Sequence, residues 1–443
     1  MKISFIVPAI GKKPGQKYIG TWKMEPLTIA VLNSLTPKDV ERELFDDRIE
    51  LVNYDTGTDL AVITVETYTA GRSYQIAREF RNRGVRVVMG GYHVTLNPEE
   101  ASRHADSIVT GNAEPVWGTL IEDARVGRLK GSYQGDTGFS RILPDRRIFD
   151  GKKYLPISLV ETGRGCGHAC EFCAISGYYQ CRYYPRDHEQ VLADLRTSKH
   201  KYHFFVDDNL TADQANAKKL FDRITPAKIK WAGQGTLAMA RDEELLKKMK
   251  RSGCELILIG FESLEQESLR QMNKSWVETI GERDELVERI HDAGINIYAT
   301  FVFGYDGDTQ KTFEDTLAFA KKHNFYTAAF NHLLPFPGTP LYERLKRQER
   351  LLYDKWWLEE GYRYGELAFK PKNMTSGQVS AVCRQSRKDF SSLPVVIGRG
   401  VANMKRSNPA MWPLFWAMNL RLGEEIDEKM NVPVGRNLDE LPK

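Results

Sequence analysis

The chain has 443 residues, which at roughly 150 residues per domain makes two or three domains. Hydrophobic residues are 41% and charged residues 28%, an ordinary globular balance with material for a sizeable core. Lys and Arg total 63 against 59 Asp and Glu; a net charge of +4 does not support a nucleic-acid surface, and no apolar run approaches the ~18 residues of a membrane span. The apolar stretch within residues 1–13 is too short for a secretory signal and has no small-residue cleavage site, so a cytoplasmic protein is expected.

Residues 1–125 alternate strand-like and helix-like patterns. Residues 3–7, 60–65, 85–89 and 107–110 read as near-continuous apolar strands closed by Pro8, Gly90-Gly91 and Gly111. Between them Ile76, Ala77 and Phe80 form one helical face, with Arg78, Glu79, Arg81 and Arg83 outside it. Strands of this kind joined by helices predict a Rossmann-like, doubly wound parallel sheet whose ligand lies at the strands' carboxyl ends. Residues 126–155 read as a linker. A second series covers 156–345, with strands at 157–162, 203–206, 229–234, 256–260, 295–303 and 327–334. Helical patterns at 188–197, 212–224, 242–251, 278–292 and 311–323 separate them. This predicts a partial (β/α)6 TIM-type barrel with its site at the carboxyl-end rim. Residues 346–443 read as a separate helical C-terminal region carrying Trp356, Trp357, Tyr362, Tyr364, Trp412 and Trp416. These aromatics suit a core or the cover of a substrate cavity.

The chemistry concentrates in Cys166-Gly167-His168-Ala169-Cys170-Glu171-Phe172-Cys173, a C-x3-C-x2-C run just after the first barrel strand. Three of the six cysteines fall within eight residues of a chain without a secretory signal, which favours a metal centre over disulfides. A [4Fe-4S] cluster usually takes four Cys, so three leave one iron open. A closed zinc site needs a fourth ligand, for which His168 and Cys181 are the candidates. Cys254 and Cys383 read as buried structural residues.

The motif resembles that of the radical S-adenosylmethionine superfamily, with Phe172 just before the last Cys. The likeness continues in order through Phe205-Val206-Asp207-Asp208-Asn209, Trp231-Ala232-Gly233-Gln234-Gly235, Ile259-Gly260-Phe261-Glu262-Ser263-Leu264, Phe301-Val302-Phe303-Gly304 and Leu334-Pro335-Phe336-Pro337-Gly338-Thr339. Each block closes a strand, where a barrel site must lie. The resemblance implies an enzyme in which the open iron chelates S-adenosyl-L-methionine and one electron releases a 5′-deoxyadenosyl radical. It places Asp207 and Asp208 for the methionine ammonium, Gln234 and Glu262 for the carboxylate or ribose, and Gly304 against the adenine. Taken by themselves, Asp207 and Asp208 could cap a helix, Glu262 a turn, and Gly304 could end a strand.

The first 125 residues resemble the cobalamin-binding domain that precedes the barrel in one branch of that superfamily, which includes class B methyltransferases, hopanoid-modifying enzymes and the anaerobic ring cyclase of bacteriochlorophyll synthesis. The matching stretches begin at Glu25-Pro26-Leu27, Val62-Ile63-Thr64-Val65-Glu66, Met89-Gly90-Gly91-Tyr92-His93 and Val109-Thr110-Gly111-Asn112-Ala113-Glu114. They imply a corrin near Thr64, Glu66, Gly90, Gly91, Tyr92 and Gly111. The Asp-x-His-x-x-Gly motif of many cobalamin proteins is absent, which leaves His93 as a cobalt neighbour or a loop hydrogen-bonder. G-x-G-x-x-G is absent too, so a dinucleotide does not fit; a Rossmann-like unit without ligand is the remaining alternative.

The function this implies is cobalamin-dependent methyl transfer to an unactivated centre of a small-molecule or natural-product substrate, fed by a reductant such as flavodoxin or ferredoxin. A radical oxidoreductase, cyclase or other group transfer on the same scaffold is the alternative. A zinc-stabilised binding protein is the alternative from another class.

Overall fold

The computed structural model describes residues 1–16, 23–139, 141–406 and 408–439. The first sheet holds β1 (Lys2–Val7), β2 (Glu41–Asp46), β3 (Leu60–Thr64), β4 (Arg86–Gly90), β5 (Ser107–Thr110) and β6 (Ser132–Gln134). All pairings are parallel, in the order β2-β1-β3-β4-β5-β6. Ile3, Phe5, Val62, Val88 and Val109 pack on one face against Ile29, Trp117, Leu120 and Ile121. Ile6, Ala61, Ile63, Val87 and Met89 pack on the other against Ile76, Ala77 and Phe80. The two covered faces explain the unbroken apolar strands, and the strand order reverses between β1 and β3, the place such sheets offer a ligand. Two strands were not anticipated. β2, Glu-Arg-Glu-Leu-Phe-Asp, is an edge strand whose charges meet Lys2 and solvent. β6 lies inside the stretch 126–155, so that part of the expected linker belongs to the sheet.

The second sheet orders β7 (Ile157–Val160), β10 (Tyr202–Phe205), β11 (Lys230–Gly235), β12 (Cys254–Glu262), β13 (Asn296–Phe303) and β14 (Thr327–His332) strictly by sequence, all parallel. It is the open six-stranded barrel expected. Burial alternates along β13: Ile297, Ala299, Phe301 and Phe303 are closed under the outer helices, while Tyr298, Thr300 and Val302 stay partly accessible. A period of two in which the inward set keeps contact with solvent means the lumen is a cavity and not a packed core. Between β7 and β10 the chain makes an antiparallel hairpin, β8 (Gly163–Gly165) with β9 (Tyr183–Pro185).

The C-terminal region is not a separate body. Trp356, Trp357, Tyr362 and Ala368 enter the same core as Ile63, Tyr74 and Val94 of the first sheet, and Val434 returns to it. The tail aromatics Trp356, Trp357 and Tyr362 therefore fasten domains together and do not cover a cavity. Helix Ser376–Phe390 lies along β14, where Arg387 Nε donates to the Phe330 carbonyl at 2.8 Å. Helices Leu393–Arg406 and Trp412–Lys429 follow, and the buried Arg399 and Asn419 bind them to the carbonyls of Phe325 and Tyr326, ahead of β14. Among the described residues no helix is long and apolar enough to cross a membrane.

Candidate active site at the facing carboxyl ends of two sheets

Residues 166–182 form an excursion whose two ends are zipped by the β8–β9 pairing. Gly165 has φ +79°, and a Cβ there would come within 2.2 Å of the Arg182 carbonyl, so only glycine closes the zip. The loop is fastened elsewhere by long-range contacts. Asn273 Nδ2 donates to Ala169 O at 2.9 Å, the Glu171 carboxylate takes Arg344 at 2.6 Å, and the Phe172 ring packs on the barrel core. His168 stacks flat on Trp276, 4.1 Å between centroids, which commits its ring to that contact.

Cys166, Cys170 and Cys173 are half-buried, and burial pushes all three thiols up, Cys170 to about 12. Each also carries groups that favour its anion. Asn209 Nδ2 and the His168 amide donate to Cys166, the Lys274 charge acts on Cys170, and the Ile175 and Ser176 amides donate to Cys173, while the Ser176 hydroxyl donates to the His168 carbonyl at 2.9 Å. Donors aimed at sulfur in a low-dielectric pocket suit thiolates that give up their protons to a metal centre. Among the described residues no three His, Cys, Asp or Glu side chains converge on a single ion. A cubane takes one thiolate at each of three separate irons, so the donor set fits a cluster better than a mononuclear zinc. Cys181, beyond helix Ala174–Tyr179, points its thiol at the Ser176 carbonyl at 3.9 Å. Cys254 and Cys383 are buried, as expected.

The strand-end residues divide. Asp207 is 1% exposed, and its two oxygens accept from the Thr162 amide (2.9 Å) and hydroxyl (2.6 Å). It ties β10 to β7 and is not free for an ammonium group; burial pushes it up to about 7. Asp208 is partly exposed, accepts from the Gly165 amide at 2.9 Å, and is pushed up to about 6 by burial. Its charge reaches Cys166 and Cys173. Gln234, inward on β11, donates to the Asp207 carbonyl at 3.4 Å. Glu262 stands at φ +61°, where the β12–β13 register shifts, and is ion-paired at 2.9 Å to the buried Lys274. Lys274 was not singled out from sequence because nothing local marks it. Gly304 gives its amide to Asp308 at 2.7 Å, and a Cβ on it would touch Phe369, Leu333 and Leu367. Its missing side chain therefore serves the docking of the C-terminal segment.

The carboxyl end of the first sheet faces this loop. Helix Tyr92–Leu96 packs on helix Ala174–Tyr179. The Tyr92 ring meets Tyr178 edge-on at 4.8 Å, and Tyr178 donates to Asn112 at 3.0 Å. Arg164 beside the cysteines reaches across to Glu114 at 2.7 Å while holding Glu161 at 2.8 Å, so Glu114 serves as a domain tie. Glu66 and Tyr92 are open to solvent although protein surrounds them on most sides, and burial pushes both their pKa values up. They follow the carboxyl ends of β3 and β4. Thr64 contacts the Ile6 carbonyl at 3.4 Å, across the β1–β3 switch. Gly90 ends β4, Gly91 leaves no room for a side chain against the Val65 carbonyl, and Gly111 turns against Asp136. His93 is turned away from solvent. Its ring nitrogens are held by Thr67 Oγ1 (3.2 Å) and Glu100 (3.1 Å), and it is fully buried, so it is a hydrogen-bonder and not a cobalt neighbour.

One wall of the lumen gathers residues from distant parts of the chain. Tyr298 of β13, His332 at the end of β14, Tyr68 and Tyr364 stand around Arg387, whose charge reaches Tyr68, Tyr298 and His332. The Tyr68 and Tyr364 rings are 5.3 Å apart, and Arg387 Nη2 donates to Asn331 Oδ1 at 2.8 Å. Burial, then the Arg387 charge, pushes the His332 imidazole down to about 3. The wall offers aromatic faces and a guanidinium, and the Glu425 charge acts on Tyr298 as well.

The family model described as the Radical SAM superfamily matches residues 160–320. The chain is 31% identical to a bacteriochlorophyllide d C-8(2)-methyltransferase of Chlorobaculum tepidum, over 74% of this chain and 78% of that protein. It is 28% identical to a C-12(1)-methyltransferase of the same substrate and organism, over 88% and 86%. Among solved structures it resembles the cobalamin-dependent S-adenosylmethionine radical enzyme OxsB (15% identity, TM-score 0.66, 96% of this chain and 72% of that one). It also resembles the radical S-adenosylmethionine methyltransferase TsrM from Kitasatospora setae (16%, TM-score 0.62, 78% and 76%).

Proposed function

The chain belongs to the radical SAM superfamily, and on that premise we propose that it is a cobalamin-dependent methyltransferase acting on an unactivated carbon of a flat, anionic small molecule. It is an enzyme, and its family's cofactors are a [4Fe-4S] cluster and S-adenosylmethionine. The observation that carries the reading is the packing of helix Tyr92–Leu96 on helix Ala174–Tyr179, which sets the open end of the first sheet against the cysteine loop. Two centres that exchange a radical and a methyl group need that proximity.

Cys166, Cys170 and Cys173 would hold the cluster, and Asn209, Lys274 and Ser176 would stabilise the sulfur charge. Asp208 would accept the methionine ammonium, and Gln234 would face the carboxylate or ribose. Glu262 and Lys274 act as one pair at the rim, so Glu262 contributes through its second oxygen. Thr64, Glu66, Gly90, Gly91, Tyr92 and Gly111 would border the corrin. When bound, these groups supply a one-electron cleavage and a transferable methyl; the chain's task is to hold them, exclude water and aim the substrate. Arg387 and the three tyrosines would orient the substrate, which the bacteriochlorophyllide relatives support. A flavodoxin- or ferredoxin-type reductant in the cytoplasm fits three thiols that must stay reduced.

The test is anaerobic reconstitution with iron, sulfide and cobalamin, followed by S-adenosylmethionine labelled in its methyl group and a reductant. The expected result is 5′-deoxyadenosine together with labelled methyl on the recovered cobalamin. 5′-Deoxyadenosine with no cobalamin retained sinks the methyl-transfer reading while leaving the radical chemistry. Asp208→Asn should keep its iron yet bind S-adenosylmethionine roughly tenfold to a hundredfold more weakly, the cost of one charge-assisted hydrogen bond. Unchanged binding by equilibrium dialysis would remove Asp208 from the site.

A further inference from the structure

Tyr305 follows Gly304 at the carboxyl end of β13 and is only 2% exposed. Its backbone is fixed: the Tyr305 amide donates to the Asp308 carboxylate at 3.1 Å, and the Tyr305 carbonyl accepts from the Asp308 amide at 3.1 Å. The next residue, Asp306, is pinned by Arg350 at 2.7 Å and Lys372 at 3.0 Å, and its amide donates to Gln271 Oε1 at 3.2 Å. The ring belongs to the barrel core. Yet the hydroxyl at its tip is buried without a hydrogen-bond partner. Burying a hydroxyl unpaired is costly, so an orphan held this rigidly marks a place where a partner arrives.

The surrounding charges narrow the partner. Glu171, Arg344, Glu262 and Cys170 all act on Tyr305. Glu171 is held by Arg344 at 2.6 Å and Glu262 by Lys274 at 2.9 Å, so both carboxylates are already paired within the protein. Cys170 differs from the other two cysteines of its run. Cys166 accepts from Asn209 and the His168 amide, and Cys173 from the Ile175 and Ser176 amides. The Cys170 sulfur accepts no hydrogen bond among the described residues, and the Lys274 charge offsets its burial. One cluster ligand thus lacks a donor beside a tyrosine that lacks an acceptor. We propose that Tyr305 donates its hydroxyl hydrogen to sulfur at the Cys170 corner of the bound cluster and so helps set the cluster's reduction potential. The proposal rests on the cluster assignment made above. A hydrogen bond to cluster sulfur favours the reduced, more negative state and raises the potential. Tyr305 is therefore a positioning residue for the electron that cleaves S-adenosylmethionine.

The test compares the parent with Tyr305→Phe, both reconstituted anaerobically without S-adenosylmethionine, in a redox titration followed by electron paramagnetic resonance. Both should hold the same iron and sulfide. The midpoint of the variant should lie lower by a roughly threefold to tenfold change in the one-electron equilibrium, about 30–60 mV on a scale of about 59 mV per tenfold. Before iron is added, the variant should melt no lower than the parent, because the hydroxyl bonds nothing there. An unchanged midpoint overturns the proposal. So does an iron-free variant that melts lower, since the hydroxyl would then have a protein partner. Trp276, stacked on His168, carries a second buried donor without a partner, its Nε1. A midpoint lowered by Trp276→Phe and not by Tyr305→Phe would give the role to that residue and overturn the proposal. A parent that assembles no iron–sulfur cluster sinks the cluster assignment and this inference with it, and is told apart from the other failures by its iron and sulfide content.

Discussion

Replacing any one of Cys166, Cys170 or Cys173 by alanine is expected to lower 5′-deoxyadenosine formation by more than about 100-fold, above the tenfold to hundredfold that losing an outer partner of a metal ligand costs. Iron and sulfide after anaerobic reconstitution should fall in step. Asn209→Ala, which removes only the amide that donates to the Cys166 sulfur, should stay within that lower range. The telling control is Cys181→Ala. Its thiol points at the Ser176 carbonyl, so the variant should retain iron and activity. A variant of Cys181 that loses the cluster would mean a fourth protein thiolate on the last iron, and S-adenosylmethionine would have no place to bind.

The largest stability effect is expected at Trp356. It is fully buried, donates Nε1 to the Pro335 carbonyl at 2.8 Å, and meets Tyr68, Phe336, Trp357 and Tyr362 at centroid distances of 5.1–5.9 Å. Its partners come from the first sheet's side, the barrel's last loop and the tail. Trp356→Ala should therefore cost about 3–5 kcal/mol and open the joint between them. Calorimetry should show an earlier, separate transition, and limited proteolysis should cut first within residues 346–375. Trp356→Phe should recover most of the loss. An alanine variant melting as one unit at the parent temperature would show that the joint is held elsewhere.

β1, β3, β4 and β5 were legible as apolar runs because both faces of their sheet are covered, and the barrel strands because their outer face is buried at alternate positions. What escaped was polar or short. β2 is charged because it is an edge, and β6, β8 and β9 have three residues each, below any periodicity. The cysteine run carried the metal centre because its spacing is local. Lys274, Arg387, His332 and Tyr298 reach the site from far along the chain, and a lone residue of these types has no signature. Asp207 and Asp208 illustrate the limit: two neighbours of one type end with opposite duties, because the peptide turns one toward Thr162 and the other toward the cysteines. The tail's aromatics were visible, but which core they would join depends on tertiary contact alone.

The closure of β8 on β9 bears on how the enzyme matures. Gly163 pairs with Pro185 and Gly165 with Tyr183, so the chain enters and leaves the cysteine excursion at one point, while the barrel's ladder runs on from β7 to β10 without it. The barrel's ladder therefore closes independently of the cysteines, while the seat of the excursion itself waits on Asn273, Arg344 and the helix Tyr92–Leu96, each supplied from a distant part of the chain.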